Sequence, residues 1–174
     1  MGKELTMAAT PKVDVKFKHR QLDQLCHELF SHAPNEAFGM LLCETVLIES
    51  GSQTHAIVKV HRHHRFSTNG ATTANPMNVS IDRDEIKYAL DSATKNSRIN
   101  CVIDVHTHPF DKTGATFSSI DDQDEHTFCQ WLTRNYPQFD YGSIVFSPEF
   151  YSARFWRLSD HNFYTPVTLS LIHI

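Results

Sequence analysis

The sequence predicts an α/β (α+β) protein, in which helices flank one mixed β-sheet within a single domain. Two observations lead to this prediction. Apolar runs with strand-like patterns alternate along the chain with segments whose apolar residues recur at helical spacing, and such interleaving places helices against a sheet. The chain has 174 residues, of which 40% are hydrophobic and 11% aromatic, which suits one domain with one sizeable hydrophobic core.

The first third of the chain is predicted to contain a helix between strands. Residues 1–12 are polar and are expected to form a flexible lead. Strict alternation predicts a strand over residues 13–17, and apolar residues at three- and four-residue steps predict an amphipathic helix over about 19–32. Three short apolar runs then predict three consecutive strands, over residues 37–43, 45–48 and 56–60.

The rest of the chain continues the same interleaving. Residues 61–78 are polar and carry Gly and Pro, which predicts a long exposed loop. Helical spacing predicts helices over residues 82–95 and 119–134, and the first of these has acidic residues in its first turn, where they complement the helix dipole. The remaining apolar runs predict strands over residues 101–105, 143–146, 151–158 and 167–174, the last of them at a sheet edge.

Composition excludes several classes of protein. The formal net charge is −4 and no basic stripe is present, so no nucleic-acid partner is expected. No apolar run approaches roughly eighteen residues and the N-terminus lacks an apolar signal segment, so we expect no membrane partner and a cytoplasmic location. The cysteines are far apart and are expected to be small buried residues rather than disulfide or zinc-site residues; they are Cys26, Cys43, Cys101 and Cys129.

The apolar run from residue 101 ends in two histidines, His106 and His108. Residues i and i+2 of a strand point to the same face, so both imidazoles can converge on one ion, and imidazole suits zinc. A bare His-x-His pair is, however, more often two unrelated histidines at a strand end. Asp104 lies on the same face, either as a carboxylate supporting the histidines or as a buried group with another partner.

Two further carboxylates lie where elements are predicted to begin. Ser118 is followed three residues later by Asp121, a pattern that helix capping alone explains. A carboxylate at a helix start that faces a strand end could also supply the third ligand of an open zinc site. Glu36 precedes a run of uncharged residues, where the simplest interpretation is an exposed carboxylate at a strand start. Gly39 within that strand permits a close backbone approach or a bulge.

Taken together, these motifs resemble a known family. Residues 36–42 read Glu-Ala-Phe-Gly-Met-Leu-Leu, residues 106–109 read His-Thr-His-Pro, and residues 118–121 read Ser-Ser-Ile-Asp. In this order they resemble the JAB/MPN (JAMM) zinc metalloproteases, and the resemblance extends over about residues 17–158. It implies a single MPN/JAB-type domain over residues 1–174.

The resemblance also implies a role for each motif residue. His106, His108 and Asp121 would bind Zn²⁺, Glu36 would be the general base, and Ser118 would help to hold the oxyanion. Twelve residues separate His108 from Asp121, two more than is usual in the family, and we attribute them to an insertion in the loop over residues 109–117.

The extra residues leave rival assignments at the helix start. Asp122 and Ser119 are the alternative ligands; Ser119 is a poor zinc ligand and Asp122 is expected to point elsewhere on the helix, so Asp121 is preferred. If Ser118 is used in catalysis, Ser119 would be expected to cap the helix instead.

The activity implied by the resemblance is zinc-dependent hydrolysis of the bond after the C-terminal tail of a ubiquitin-like modifier, either in deconjugation or in precursor processing. The compact chain looks most like stand-alone bacterial members that accompany ubiquitin-like conjugation systems, some of them in antiviral defence. Partners would then be ubiquitin-like proteins or their conjugates, together with activating and conjugating enzymes.

Three alternatives belong to other classes. The first is a catalytically silent MPN scaffold that binds protein partners, although every motif position is filled here. An amidohydrolase barrel needs a longer chain than this one. A histidine-rich metal carrier would depend on the cluster over residues 61–64, where His61 and His63 share a strand face, although a solvated strand end explains them as well.

Overall fold

The computed structural model describes residues 12–51, 53–66, 71–75, 78–158, 167–168 and 170–173. These residues form ten strands and three helices. In chain order they are β1 (Lys12–Phe17), α1 (Gln21–Phe30), β2 (Phe38–Ser50), β3 (Gln53–Arg65), β4 (Ala71–Asn75), β5 (Asn78–Ile81), α2 (Arg83–Thr94), β6 (Cys101–Thr107), α3 (Ser119–Asn135), β7 (Asp140–Phe146), β8 (Tyr151–Arg157), β9 (Val167–Thr168) and β10 (Ser170–His173). The predicted flexible lead lies almost wholly outside the described residues.

Eight of these strands form one mixed sheet in the order β10-β1-β3-β2-β6-β7-β8-β9, and β4 pairs with β5 separately. The pairs β1/β10, β1/β3 and β6/β7 are parallel and the others are antiparallel. Strands β9 and β10 lie at opposite edges, yet one residue of sequence separates them and spans at most about 7 Å between Cα atoms. The sheet is therefore curled so that its two edges approach each other.

Helices cover both faces of the central strands. Leu41 of β2 packs in the same buried cluster as Leu29 of α1. Its neighbour Leu42 points to the opposite face, where it shares a second cluster with Leu90 of α2 and Leu132 of α3. Alternate residues of a strand face opposite sides, so a strand buried on both sides reads as a continuous apolar run. This arrangement confirms the predicted mixed sheet flanked by helices.

The structure corrects the predicted strands in the first half of the chain. The two strands predicted over residues 37–43 and 45–48 form one strand, β2, which begins at Phe38 and continues through Glu44. The Glu44 carboxylate lies 3.1 Å from Nε2 of His61 on β3, a polar contact that the paired strands accommodate.

The predicted loop over residues 61–78 is also wrong in part. Strand β3 continues to Arg65, which pairs with Gly39 of β2, and most of the remaining described residues there belong to β4 and β5. Backbone pairing with β2 requires no apolar side chains, which is why a polar sequence forms a strand here. Among the described residues, no helix is long and apolar enough to cross a membrane.

At the other end of the chain, the predicted edge strand is split in two. Its described residues form β9, which pairs with β8, and β10, which pairs with β1. Residues 169 and 174 lie outside the described residues. The three predicted helices agree with α1, α2 and α3 to within a few residues, and β6 extends two residues past its predicted end, to Thr107.

Candidate metal centre and active site

Strand β6 carries the two histidines to the end of the central sheet. All seven of its residues are buried, including His106, and His108 follows the last of them. The His108 amide donates a hydrogen bond of 2.8 Å to the Phe146 carbonyl at the end of β7, which extends the pairing past the strand. The two imidazole rings lie with their centres 5.1 Å apart, on the same side of the chain.

The start of α3 brings Asp121 to these histidines. Ser118 caps the helix: its Oγ accepts a hydrogen bond of 3.2 Å from the Asp121 amide, and Asp121 Oδ2 accepts one of 2.6 Å from the Ser118 amide. This capping box orients the carboxylate. The expectation that Ser119 caps the helix is wrong, because Ser119 is already the first helical residue.

The ligand atoms of His106, His108 and Asp121 all lie within 4.8 Å of one another. Nε2 of His106 is 3.5 Å from Asp121 Oδ1, and Nε2 of His108 is 3.6 Å from Asp121 Oδ2. Within the described part of the chain, Nε2 of His106 is buried without a hydrogen-bond partner. A buried polar atom in this state is costly unless something binds it. Two imidazoles and one carboxylate are also a donor set that zinc accepts, so the residues fit a zinc ion.

Glu36 lies just before β2, beside His108. Antiparallel pairing joins Phe38 to His106, and continuing that register places Glu36 opposite His108. Two hydrogen bonds hold the intervening pair: the Ala37 amide donates to Thr107 Oγ1 at 2.9 Å, and the Thr107 amide donates to the Ala37 carbonyl at 3.1 Å. As a result, Glu36 Oε1 lies 3.9 Å from His108 Nε2, close to the ligand group without belonging to it.

The surroundings shift the pKa values of these groups in different directions. Burial raises the pKa of Glu36 to about 7, with His106 opposing this and Asp121 adding to it. Burial and the neighbouring His106 lower the pKa of His108, which favours the neutral imidazole that a metal requires. Burial acts against ionisation of Asp121, but His106 and Ser118 outweigh it and hold the pKa of Asp121 well below its usual range.

Asp104 is buried beneath the histidines. Its carboxylate accepts hydrogen bonds from the Tyr141 hydroxyl and the Ser143 hydroxyl, whereas Nδ1 of His106 is 4.0 Å away. Burial and the nearby Glu125 raise the pKa of Asp104 to about 7. Of the two interpretations of Asp104, the contacts therefore support a buried group with other partners, Tyr141 and Ser143. Its carboxylate also lies near His106.

A buried ionic cluster behind the start of α3 was not anticipated from the sequence. Glu125 accepts a hydrogen bond from Arg154 Nε at 2.6 Å, and its Oε1 lies 2.9 Å from Ser143 Oγ. Arg154 also donates to Asp122 Oδ1 at 2.6 Å, and its guanidinium lies 3.6 Å from the centre of the Phe117 ring. Asp122 therefore faces away from the histidines. The available signal was the four-residue spacing from Asp121 to Glu125, which places both on one side of a helix.

The second histidine cluster does not assemble a comparable site. His61 contacts Glu44, whereas His63 Nδ1 lies 3.6 Å from Glu28 of α1, so the two histidines have separate partners. The ring of His63 approaches Gly39 so closely that a Cβ there would lie 2.5 Å from Nε2, and any larger residue would have to displace this ring. Across the residues with a described placement, His106, His108 and Asp121 form the one potential metal group of three or more such side chains.

The candidate metal centre opens into a cavity of about 830 Å³. Its lining includes site residues, the first turns of α2, and α3 from Ser118 to Trp131. Asp121 and Trp131 are ten residues apart, so the cavity follows about 15 Å of the helix. A size of this order is typical of sites that enclose a ligand.

Comparison with known proteins agrees with the fold. No curated protein matches the chain. Among solved structures, the solution structure of protein DSY2949 from Desulfitobacterium hafniense is similar, with a TM-score of 0.54 and 18% sequence identity, and the match covers 92% of each chain. Residues 18–159 match the family described as prokaryotic homologs of the JAB domain. Because this match spans most of the sequence, the chain belongs to the prokaryotic JAB-domain family.

Proposed function

We propose that this chain is a zinc-dependent metallopeptidase that hydrolyses the bond after the C-terminal tail of a ubiquitin-like modifier, in deconjugation or in precursor processing. The observation that supports it is the convergence of His106, His108 and Asp121 with Glu36 beside them. Zinc bound there would supply Lewis-acid chemistry, because it lowers the pKa of a water molecule and polarises the scissile carbonyl.

Each side chain has a task in this proposal. The imidazoles and the Asp121 carboxylate hold the ion and leave room for water and substrate. Glu36 takes the proton of the attacking water and delivers it to the leaving amine, as general acid-base catalysis requires. Ser118 Oγ accepts the capping hydrogen bond and retains its own hydrogen, which it can donate to the developing oxyanion. Capping and catalysis are therefore compatible in one hydroxyl.

The proposed biological setting is a bacterial ubiquitin-like conjugation system, including systems that defend against phage, in the cytoplasm. Its partners would be the modifier, its conjugates and the activating and conjugating enzymes. Family membership and the candidate zinc group support this proposal, and neighbouring genes test it. Genes for a modifier and its enzymes are expected beside this one, and their absence from the neighbourhood of all close relatives would count against the setting.

The activity itself can be tested by incubating the zinc-loaded protein with a panel of ubiquitin-like fusions and isopeptide conjugates. Intact-mass spectrometry should show products cut directly after the modifier tail. The Glu36→Gln protein, measured in parallel, should leave the same substrates intact. A protein that holds zinc, binds modifiers and cuts none of the panel would instead support the silent MPN scaffold.

A further inference from the structure

The cavity beside the candidate metal centre has a part that the proposed chemistry does not use. Water attack and proton transfer need only the end that holds Glu36, the histidines and Asp121. Farther along, the walls come from two helices, with Ile86 on α2 and with Phe128 and Trp131 on α3, while Met40 and Tyr141 of the sheet also line the space. We call this part, defined by Met40, Ile86, Phe128, Trp131 and Tyr141, the interhelical groove.

The walls of the interhelical groove are apolar and ordered by mutual packing. The Phe128 ring stacks on Trp131 with centres 5.7 Å apart and meets the Tyr141 ring edge-on at 5.0 Å. Ile86 packs against the buried cluster beneath. Trp131 nevertheless keeps 36% of its surface exposed. Preformed apolar walls next to convergent polar groups are typical of a site that takes an apolar part of a ligand.

The mouth of the cavity shows the same character. Phe110, in the loop after β6, is 59% exposed, and Ile120, in the first turn of α3, is 56% exposed, and both line the cavity. When a ligand covers large apolar side chains that are exposed to water, the burial of apolar surface favours binding. Both residues line the same cavity as His108 and Asp121, so the apolar surface extends to the candidate metal centre.

Charges around the cavity argue against an anionic occupant. Besides the carboxylates of Glu36, Asp104, Asp121 and Glu125 described above, the lining carries those of Asp84, Asp111 and Asp124, against the two basic side chains of Arg83 and Lys87. A negatively charged side chain would also lose its hydration against the apolar walls without gaining a dedicated partner there. An uncharged, large apolar side chain is the group that this surface accommodates best.

We infer that the interhelical groove is a specificity subsite that binds a large apolar side chain, aliphatic or aromatic, of the polypeptide substrate, close to the scissile bond. The inference rests on the proposed function, since it takes the occupant to be the substrate held at the metal centre. It adds a requirement that a tail of glycines alone would not meet, because glycine leaves the apolar walls uncovered. Residues Ile86, Phe128 and Trp131 then set the preference.

The test measures binding and does not depend on turnover. The probes are acetylated hexapeptide amides of glycine and serine that differ at one central position, which is Gly, Leu, Phe or Glu. Each is titrated into the zinc-loaded Glu36→Gln protein and followed by amide chemical shifts. Burial of one large apolar side chain should make the Leu and Phe peptides bind about tenfold to hundredfold more tightly than the Gly peptide, and the Glu peptide should gain nothing.

Two variants locate the preference. Ile86→Trp fills the interhelical groove and should remove the advantage of Leu and Phe, whereas Tyr88→Trp, on the same helix at a position 71% exposed, should preserve it. Equal affinity for all peptides, no binding up to the solubility limit, or an unchanged preference in Ile86→Trp would overturn the inference. If the peptides bind selectively but the wild-type protein cleaves no ubiquitin-like substrate, only the proposed hydrolase activity is wrong. If the wild-type protein cleaves these substrates but the peptides show no apolar preference, only the inference about the interhelical groove is wrong.

Discussion

At the scale of single residues, the position of Glu36 follows from backbone pairing. Glu36 lies outside the strands, yet the two hydrogen bonds between Ala37 and Thr107 continue the β2/β6 register and place Glu36 opposite His108. Main-chain geometry thus places the Glu36 side chain beside His108 and the candidate metal group. Removing its charge should therefore change proton transfer and leave the ligand group intact.

Glu36→Gln should retain zinc and lose turnover by about 100-fold or more, because the amide cannot take up a proton from water. Emission spectrometry of the purified protein measures the metal, and cleavage of a ubiquitin-like fusion measures turnover. Glu44→Gln is the matched control: it removes a carboxylate from β2 that contacts His61, and it should change neither quantity. Undiminished cleavage by Glu36→Gln would rule out its role as the general base.

His106→Ala should lose both zinc and turnover, because it removes a buried ligand and leaves only two. Asp121→Asn tests the same group without a change of size, and it should weaken zinc binding while keeping the helix cap. His126→Ala is the control, since His126 is an exposed residue of α3 that contacts Gln130. A His106→Ala protein with a full complement of zinc would show that the metal binds elsewhere.

At the scale of elements, one residue at the start of α3, Ser118, has both a structural and a proposed catalytic role. Ser118 caps the helix through Asp121, and the same residue is proposed to donate to the oxyanion. The ionic cluster of Glu125, Arg154 and Asp122 anchors this end of α3 to β8. The position of Asp121 therefore depends on the cap and on this anchor together.

Ser118→Ala should lower the free energy of unfolding by about 1 kcal/mol through loss of the cap. It should also lower kcat by about 100- to 1000-fold, far more than a slightly less stable helix start explains, if the hydroxyl binds the oxyanion. Ser118→Thr keeps an oxygen acceptor and a hydroxyl, so it should recover both. Urea unfolding and cleavage kinetics separate the two effects, and a stability loss with unchanged kcat would restrict Ser118 to capping.

Substitution of Gly142 tests how tightly β7 and β8 are packed. A Cβ at this position would lie 2.7 Å from the Phe155 ring and 2.9 Å from the Arg154 carbonyl, and the backbone atom cannot move aside cheaply. Gly142→Ala should therefore reduce the free energy of unfolding by about 1 to 3 kcal/mol. A Cβ added at Gly114 would have no atom within 4 Å, so Gly114→Ala should be close to neutral in the same urea titration. Equal midpoints for the two variants would contradict the packing described for β7 and β8.

The sequence was informative where local pattern decides structure. Helical spacing predicted α1, α2 and α3, and the motifs drew attention to His106, His108, Asp121 and Glu36, which the structure brings close together. It failed where partners come from distant parts of the chain. Nothing local to Glu44 indicates that β2 continues through it, because the strand is stabilised by pairing with β3.

Buried polar partners were equally hard to anticipate. Glu125 is one of several acidic residues in the first half of α3, and only the tertiary fold places Arg154 against its carboxylate. The hydrogen bond from the Ala37 amide to Thr107 Oγ1 likewise joins residues that are 70 positions apart. Such contacts follow from the curled sheet rather than from residue type.

At the scale of the whole molecule, the curled sheet gathers the candidate site from three separated parts of the chain. The central pair β2 and β6 supplies Glu36 and the histidines at one end, and α3 closes over that end with Asp121. The helices that cover the same face of the sheet form the walls of the adjoining cavity. A single ion at the point of convergence would then link the end of β6 to the start of α3, with Glu36 beside it.

Cleavage of one ubiquitin-like fusion before chelation, after removal of metal, and after zinc is added back is a direct test of the proposed zinc-dependent hydrolysis. We expect full cleavage, then loss, then recovery on addition of about one zinc per chain, because an open zinc site needs all three protein ligands and a single ion. Cleavage that continues at the original rate in the metal-free protein would show that the hydrolysis does not depend on zinc.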